Sequence, residues 1–275
     1  MDYWNHIYDH FDPVAFNIFS LPVHWYGMMY VLALLGGLGA AKYFAEKDRV
    51  DVSSSQLDNY FIWIEIGVIL GARLGYIIFY DPDTSYYLTH PWQIFNPFNQ
   101  DGDFVGIRGM SYFGAVIGWF LGSYLFYRYK KVNFGKLMDI VAVAVPVGYV
   151  FGRIGNFLNQ ELIGRATDVS WGIYVNGVLR HPSQLYEALL EGVVVFLVIF
   201  LYRSRKRFDG ELILLYGFMY GLTRSVAEIW REPDPQIGFL CCGWLTMGQL
   251  LGGLMMLTAI ILWPYFNAKS KSGQK

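Results

Sequence analysis

Long apolar runs separated by short polar and charged segments dominate the chain, and this pattern predicts helices that cross a membrane. Each run is close to the roughly 20 residues that a helix needs to span the hydrocarbon core of a bilayer. The seven predicted spans are residues 24–41, 60–80, 110–127, 137–156, 185–202, 212–230 and 245–264. Glycines recur every four residues at 114, 118 and 122, at 217 and 221, and at 248 and 252, a spacing that favours close helix packing. The pattern therefore predicts an all-α polytopic membrane protein with a single integral membrane domain over 1–275.

The composition strengthens this interpretation. Hydrophobic residues make up 55% of the 275 residues and charged residues 16%, which is too apolar for an ordinary soluble domain of this size. The formal net charge of −1 gives no reason to expect a nucleic-acid partner. The two cysteines are adjacent, at 241 and 242, which excludes a disulfide framework and a cysteine-rich zinc site.

Lysine and arginine concentrate in alternate loops of the predicted bundle. Basic clusters lie at 42–49, 128–136, 203–207 and 269–275, whereas the intervening loops carry few basic residues. Cytoplasmic loops are enriched in these residues, so we expect the N-terminus outside and the C-terminus in the cytoplasm. Residues 159–183 then form a small outer head. In this head Asn176-Gly177 stands between apolar residues and predicts a short β-hairpin.

Arg73, Arg153 and Arg224 lie inside predicted spans, each in the half that faces outwards. An arginine in an apolar span costs roughly 2.5–3.5 kcal/mol on insertion scales, so each is expected to have a polar partner or an anion beside it. On the sixth span Tyr220, Arg224 and Glu228 are spaced four residues apart and share one helix face. Several guanidinium groups at one depth suit a phospholipid, because guanidinium binds phosphate through two parallel hydrogen bonds.

Each of these charges also has a structural interpretation. Arg224 and Glu228 would form a buried salt bridge that fixes packing, and Arg153 and Arg73 would extend towards the membrane interface. At the level of function, the main alternative is a phospholipid or anion transporter or binder that uses the same arginines. A metal-dependent phosphatidyltransferase would need several aspartates on adjacent helices, and the predicted spans contain only Asp139. We therefore expect no metal, and we expect no cofactor.

Two histidines and two tyrosines lie at the same predicted level as the arginines. His181, near a helix start, and His24, at the outer edge of the first span, suit either proton transfer or a structural role. Tyr26 and Tyr76 suit either a lipid-binding cavity or an aromatic belt at the interface. The residues alone leave these alternatives open.

Residues 152–164 match the signature Gly-Arg-x-Gly-Asn-Phe-x-Asn-x-Glu-x-x-Gly at every fixed position, and the segments 24–27, 71–76, 181–187 and 220–231 carry similar blocks. With these motifs the chain resembles the bacterial prolipoprotein diacylglyceryl transferases along almost its whole length. The resemblance implies a protein of the bacterial cytoplasmic (inner) membrane. It implies transfer of the diacylglyceryl group of phosphatidylglycerol to the lipobox cysteine of a prolipoprotein signal peptide, with formation of a thioether and release of glycerol phosphate.

The resemblance also implies roles for individual residues. Arg153 and Arg224 would hold the phosphate, Asn156 and Glu161 would orient the head group and Arg153, and Tyr220 would assist proton transfer or positioning. The residues expected to bind phosphatidylglycerol are Arg153, Asn156, Asn159, Glu161, Arg224, Glu228, Tyr26, Arg73, Tyr76 and His24, and those expected to be catalytic are Arg153, Arg224, Tyr220 and His181.

The chain departs from the family pattern at the start of the third predicted span. Many family members have a histidine there that has been assigned as a base, whereas this chain has Phe113. Phenylalanine cannot accept a proton, so either the histidine is not a universal base in the family, or His24, His181 or Tyr220 accepts the proton in this chain. The expected partners are phosphatidylglycerol, prolipoprotein signal peptides and membrane lipids.

Overall fold

The computed structural model describes residues 2–19, 21–98, 102, 106, 109–233 and 238–272. The helices are α1 (Asp2–Asn5), α2 (Trp25–Lys47), α3 (Ser54–Phe79), α4 (Thr84–Thr89), α5 (Tyr112–Lys130), α6 (Phe134–Leu158), α7 (Ser183–Glu187), α8 (Val195–Tyr202), α9 (Glu211–Ala227) and α10 (Met247–Ser272). A π-helical segment (Ala188–Val194) joins α7 to α8. The strands are β1 (Val14–Ile18), β2 (Leu21–His24), β3 (Ile173–Val175) and β4 (Val178–Arg180). The fold is thus mostly helical with two small hairpins.

Among the described residues, five helices are long and apolar enough to cross a membrane. They are Trp25–Lys47, Ser54–Phe79, Phe134–Leu158, Ser183–Arg205 and Met247–Ser272. The predicted spans at 110–127 and 212–230 also form helices, α5 and α9, but α9 has only 17 residues and α5 ends in basic residues. Large apolar side chains such as Leu35, Ile78 and Ile261 are exposed along the long helices, as expected where lipid covers them. These features indicate a multi-pass membrane protein.

The chain separates into two compact units, Met1–Asp51 with Gly135–Lys275, and Val52–Phe134. In the unit Val52–Phe134, α3 and α5 pack glycine against glycine. A Cβ atom added at Gly118 would collide with the carbonyl group of Gly67, and one at Gly114 would collide with the carbonyl group of Gly71. The predicted role of the glycines in α5 is therefore confirmed, because only hydrogen side chains let these two backbones approach so closely.

The apolar core of the other unit lies between α2, α6, α8 and α9. Its buried members are Phe44, Ala142, Val143, Val195, Ile199 and Leu212. At the start of α9 the buried Asp139 carboxylate accepts hydrogen bonds from Leu212 N at 2.8 Å and from Lys206 Nζ at 2.8 Å. A carboxylate at a helix N-terminus satisfies backbone N–H groups that lack a partner within the helix. This contact fixes α6 against α9, the helices that carry Arg153 and Arg224.

The predicted hairpin at Asn176-Gly177 is confirmed. β3 and β4 pair antiparallel, with Val175 opposite Val178. Asn176 has φ of 52° and Gly177 has φ of 77°, the left-handed conformations that a two-residue type I′ turn requires. A second antiparallel hairpin, β1 with β2, leads directly into α2 and was not predicted from the sequence.

Candidate functional site

Residues 152–164, which carry the signature, end α6 and turn back towards His181. Gln160 and Leu162 adopt left-handed φ angles of 56° and 55° after the helix. The backbone of Gly164 donates a hydrogen bond to His181 O at 3.2 Å, and a Cβ atom at Gly164 would collide with that same carbonyl oxygen. The last glycine of the signature therefore allows the chain to reach the segment just before α7.

Arg153 lies near the end of α6 and contacts polar side chains on several sides. Its Nε donates to Tyr149 Oη at 2.8 Å and lies 3.0 Å from Glu187 Oε2. Its Nη1 donates to Asn156 Oδ1 at 3.1 Å, and Asn156 Nδ2 donates to Glu161 Oε1 at 2.6 Å. Two signature residues thus form a hydrogen-bonded chain that leads to the guanidinium and orients it.

Glu187, at the end of α7, brings together arginines from three segments. Its carboxylate is fully buried. Oε2 lies 3.0 Å from Arg153 Nε and 3.2 Å from Arg224 Nη1, and Oε1 lies 3.3 Å from Arg231 Nη1. Because the carboxylate contacts all three guanidinium groups, it fixes their positions relative to one another. The structure therefore brings Arg153 and Arg224 together.

Two further buried carboxylates complete the site. Glu228 contacts Arg224 and has Oε1 3.9 Å from Arg231 Nε. Glu191, in the π-helical segment, has Oε1 3.5 Å from Arg224 Nη1 and accepts a hydrogen bond from Tyr149 Oη through Oε2. We call Arg153, Arg224, Arg231, Glu187, Glu191 and Glu228 the arginine–glutamate cluster.

The charges of this cluster balance, which was not predicted from the sequence. Three buried glutamates compensate three arginines, so the burial of the arginines does not depend on a bound anion. A guanidinium group has five N–H donors, however. Arg153 Nη2 and Arg224 Nε donate to no acceptor in the described part of the chain. Each arginine therefore keeps a donor that an oxyanion can use.

Two predicted aromatic residues lie beside the cluster. The ring of Tyr220 packs edge-to-face against Tyr149, with centroids 5.8 Å apart. The ring of Tyr26 lies over Gly155, where an added Cβ atom would come within 3.3 Å of it. Asn159, also predicted, donates its backbone N–H to Gly155 O at 2.9 Å, and none of its described contacts involves its side chain.

The two predicted histidines lie outside the contacts of the cluster. His181 Nδ1 is 3.3 Å from Tyr186 Oη, which also accepts a hydrogen bond from Trp171 Nε1 at 2.7 Å. Partial burial lowers the pKa of His181, so the ring is mostly neutral at neutral pH. The contacts described for His181 include no member of the cluster. His24 is an exposed residue that precedes α2.

Arg73 and Tyr76 belong to the unit Val52–Phe134. The buried Arg73 donates from Nη1 to Gly109 O at 3.1 Å and from Nε to Ile94 O. Its guanidinium carbon lies 5.8 Å from the ring centroid of Tyr76 and 5.6 Å from that of Tyr87. Arg73, Tyr76, Tyr87 and Gly109 line a cavity of about 310 Å³ in this unit. Arg73 therefore ties the segment between α3 and α5 to α3, and its role in lipid binding stays a prediction.

Several side chains of the site were not predicted from the sequence. Glu191 lies four residues after Glu187 in an apolar run, and Tyr149 lies four residues before Arg153. Residues four apart share a helix face, so this spacing was a usable signal. Arg231 was included only as the last residue of the block 220–231, and it has no helical spacing to Arg224 that would predict its contacts, because it lies beyond the end of α9.

Comparison with known proteins gives a consistent result. A family model described as prolipoprotein diacylglyceryl transferase matches residues 13–265. The chain is 62% identical over 268 residues to the phosphatidylglycerol–prolipoprotein diacylglyceryl transferase of Wolinella succinogenes, covering 98% of each chain. It is 62% identical to the protein of the same name from Campylobacter curvus, covering 98% of each chain. With that of Campylobacter lari it shares 58% identity over 99% of this chain and all of the relative.

Proposed function

The chain belongs to the prolipoprotein diacylglyceryl transferase family, and we propose that it transfers the diacylglyceryl group of phosphatidylglycerol to the lipobox cysteine of prolipoprotein signal peptides. The sulfur forms a thioether with the glyceryl carbon, and glycerol phosphate leaves. This reaction is the first step of bacterial lipoprotein maturation. The main observation in support of the proposal is that Arg153 and Arg224, from two different helices, both contact the carboxylate of Glu187.

In the proposed mechanism the phosphate of the lipid binds to Arg153 and Arg224. The geometry supports this role because both guanidinium groups are held in place by Glu187 before a lipid arrives, and both retain N–H donors. Preorganised donors stabilise negative charge as it develops on a leaving group. The same contacts would therefore bind phosphatidylglycerol and stabilise the departing glycerol phosphate. Glu228 also contacts Arg224, and Arg231 contacts both Glu228 and Glu187, so these two residues support the arrangement.

The nucleophile is the thiol of the substrate, so the enzyme needs no reactive cysteine of its own. Cys241 and Cys242 are exposed and do not belong to the arginine–glutamate cluster. A free thiol has a pKa of about 8.5 and must lose its proton to attack. Among the acceptors proposed from the sequence, Tyr220 contacts Tyr149, which is hydrogen-bonded to Arg153 and Glu191, whereas His181 contacts Tyr186.

We place the site at the outer leaflet of the bacterial inner membrane. The proposed topology has seven spans, which are the five long apolar helices together with α5 and α9. Its N-terminus lies outside and its C-terminus lies in the cytoplasm. The distribution of lysine and arginine supports it. In this arrangement the head at 159–183 faces outwards, and Tyr26, His24, Asn159, Arg73 and Tyr76 are further candidates for contact with phosphatidylglycerol.

The proposal can be tested with the purified chain in detergent, phosphatidylglycerol and a synthetic lipobox peptide. We expect the wild type to increase the peptide mass by one diacylglyceryl group. We expect Arg153→Ala and Arg224→Ala each to lower turnover by about 10²-fold or more, since each removes a donor to developing charge. Arg203→Ala is the matched control, because Arg203 is similarly buried and paired with Asp48 at 3.0 Å but does not belong to the cluster.

Two outcomes would count against the proposal. Full turnover by both arginine variants would mean that the phosphate binds elsewhere. A folded wild type that binds phosphatidylglycerol without changing the peptide mass would favour the phospholipid transporter or binder.

A further inference from the structure

A tyrosine and a fully buried carboxylate form a hydrogen-bonded pair inside the site, and the phosphate contacts leave this pair unused. Tyr149 lies on α6 one turn before Arg153, and Glu191 lies in the π-helical segment. Tyr149 Oη donates to Glu191 Oε2 and accepts from Arg153 Nε at 2.8 Å. The phenol oxygen thus connects a carboxylate with a guanidinium of the proposed phosphate site.

Glu191 differs from the other two carboxylates of the cluster in its contacts. Glu187 contacts three guanidinium groups, and Glu228 contacts two. Glu191 contacts one, Arg224, at 3.5 Å, and its Oε1 receives no hydrogen bond from the described residues. A proton added to Glu191 would therefore disturb fewer ion pairs than a proton added to either of the others.

The local backbone also sets Glu191 apart. It stands in the middle of the π-helical segment Ala188–Val194, which interrupts an otherwise α-helical span. Segments of this kind are rare and often occur at functional sites. The two side chains also differ in solvent exposure: Tyr149 is half-buried, whereas Glu191 is completely inaccessible. A substrate group that enters the site from outside therefore meets Tyr149 before Glu191, whose carboxylate contacts Tyr149 and Arg224.

We propose that Tyr149 and Glu191 together accept the proton of the substrate thiol, with Tyr149 in contact with the sulfur and Glu191 behind it. This inference rests on the proposed transferase function. The thiol proton moves to Tyr149 Oη as the phenolic proton moves to Glu191 Oε2. The sulfur electron pair then forms the C–S bond to the glyceryl carbon, and the C–O bond to the phosphate breaks with its electron pair on oxygen.

The proton balance closes within the same site. Glycerol phosphate leaves with one more negative charge than the lipid phosphate carried, and Arg153 and Arg224 stabilise that charge. The proton on Glu191 returns through Tyr149 to the released phosphate or to water, which restores the starting state. Since Arg153 Nε donates to Tyr149 Oη, the arginine that holds the leaving group also orients the phenol that receives the proton.

The test uses the full chain in detergent with phosphatidylglycerol and the lipobox peptide, and measures kcat and KM as functions of pH. We expect Tyr149→Phe and Glu191→Gln each to lower kcat by about 10²–10⁴-fold, the usual contribution of a positioned base. We expect KM for phosphatidylglycerol to change by no more than about threefold, because the phosphate contacts stay in place. The double variant should lose about as much as either single variant, since the two residues act as a unit.

The pH dependence separates proton transfer from a merely structural role. Above about pH 8.5 a free thiol ionises without help, so the deficit of both variants should shrink there. A peptide with selenocysteine in place of the lipobox cysteine has a selenol that ionises more easily than a thiol. We expect Tyr149→Phe to turn over this peptide at least about tenfold faster than the cysteine peptide. The control is Tyr60→Phe, which removes another buried phenol, hydrogen-bonded to Ser123 Oγ at 2.9 Å, and should keep full turnover and an unchanged pH profile.

Several results would overturn the inference. A loss that is independent of pH, equal for the thiol and selenol peptides, or expressed mainly in KM would show that the pair only shapes the site. If Tyr149→Phe fails to fold, Glu191→Gln with the selenol peptide decides the question alone. A wild type without transferase activity would refute the proposed function itself, whereas an active wild type with unaffected variants would refute only this inference.

Discussion

Replacing Glu187 by glutamine removes the charge that holds Arg153, Arg224 and Arg231 together. The glutamate oxygens lie 3.0, 3.2 and 3.3 Å from guanidinium nitrogens of these arginines, and the side chain is fully buried. Glutamine keeps the shape and one carbonyl acceptor, but it places an amide NH₂ group against a guanidinium. The change therefore leaves one buried positive charge uncompensated while altering the packing very little.

The expected cost follows from these contacts. Removing one partner of a buried ion pair destabilises a protein by about 3–5 kcal/mol, because a buried charge is left unpaired. For chains of roughly this size, 1 kcal/mol corresponds to about 2–4 °C in the unfolding midpoint. We therefore expect Glu187→Gln to unfold roughly 6–20 °C below the wild type in detergent.

Glu232→Gln provides the matched control for this experiment. Glu232 also pairs with an arginine, Arg180, at 3.3 Å, but half of its side chain is exposed. Exposed pairs contribute at most about 1 kcal/mol, so the midpoint should fall by no more than about 4 °C. Scanning fluorimetry on the purified variants measures both values. Equal midpoints for Glu187→Gln and Glu232→Gln would refute the view that Glu187 holds the arginines in place.

Two further predictions concern helix packing and pH. A Cβ atom at Gly248 would collide with Glu228 Oε1 and lie 3.0 Å from Arg224 Nε, so Gly248→Ala should cost about 1–3 kcal/mol of stability and lower turnover at least about tenfold. Gly253→Ala, with no atom within 4 Å of the added carbon, should change neither measurement. Because burial holds the pKa of His181 below its ordinary value of about 6.5, unfolding takes up a proton there, and stability should fall as pH falls through the window just below that value. The unfolding midpoint of His181→Gln should lack this part of the pH dependence, and identical pH profiles for variant and wild type would contradict it.

The sequence predicted the helical architecture well because the physical cause is local. Apolar runs of membrane length became helices, and Asn176-Gly177 formed the hairpin turn that its left-handed φ angles permit. The repeated glycines also formed the close contacts expected of them in α5 and, at Gly221 and Gly252, between α9 and α10. The hairpin of β1 and β2 was missed, since its segment carries no comparable turn signal between two clear apolar runs.

The candidate site was predicted less completely, because its contacts join residues far apart in the chain. Arg153 and Arg224 were singled out from their cost in an apolar span, and the structure brings them together. Their partner Glu187 was included only as the last residue of the block 181–187, and Glu191 was not identified. Which carboxylate faces which guanidinium depends on how the helices pack, and a single sequence does not contain that information. The hydrogen bonds from Arg73 to the backbone carbonyl groups of Ile94 and Gly109 could not be predicted either, because any residue can supply a carbonyl group.

The most direct test of the central claim, that Arg153 and Arg224 bind the lipid phosphate, measures the affinity of the purified chain for phosphatidylglycerol and for diacylglycerol, which lacks the phosphate. A hydrogen bond to a charged group contributes about 1.5–3 kcal/mol, so Arg153→Ala and Arg224→Ala should each raise Kd for phosphatidylglycerol by about 10- to 150-fold. Both variants should bind diacylglycerol as the wild type does, and Arg203→Ala should bind both lipids normally. Unchanged affinity for phosphatidylglycerol, or an equal loss for both lipids, would contradict the claim.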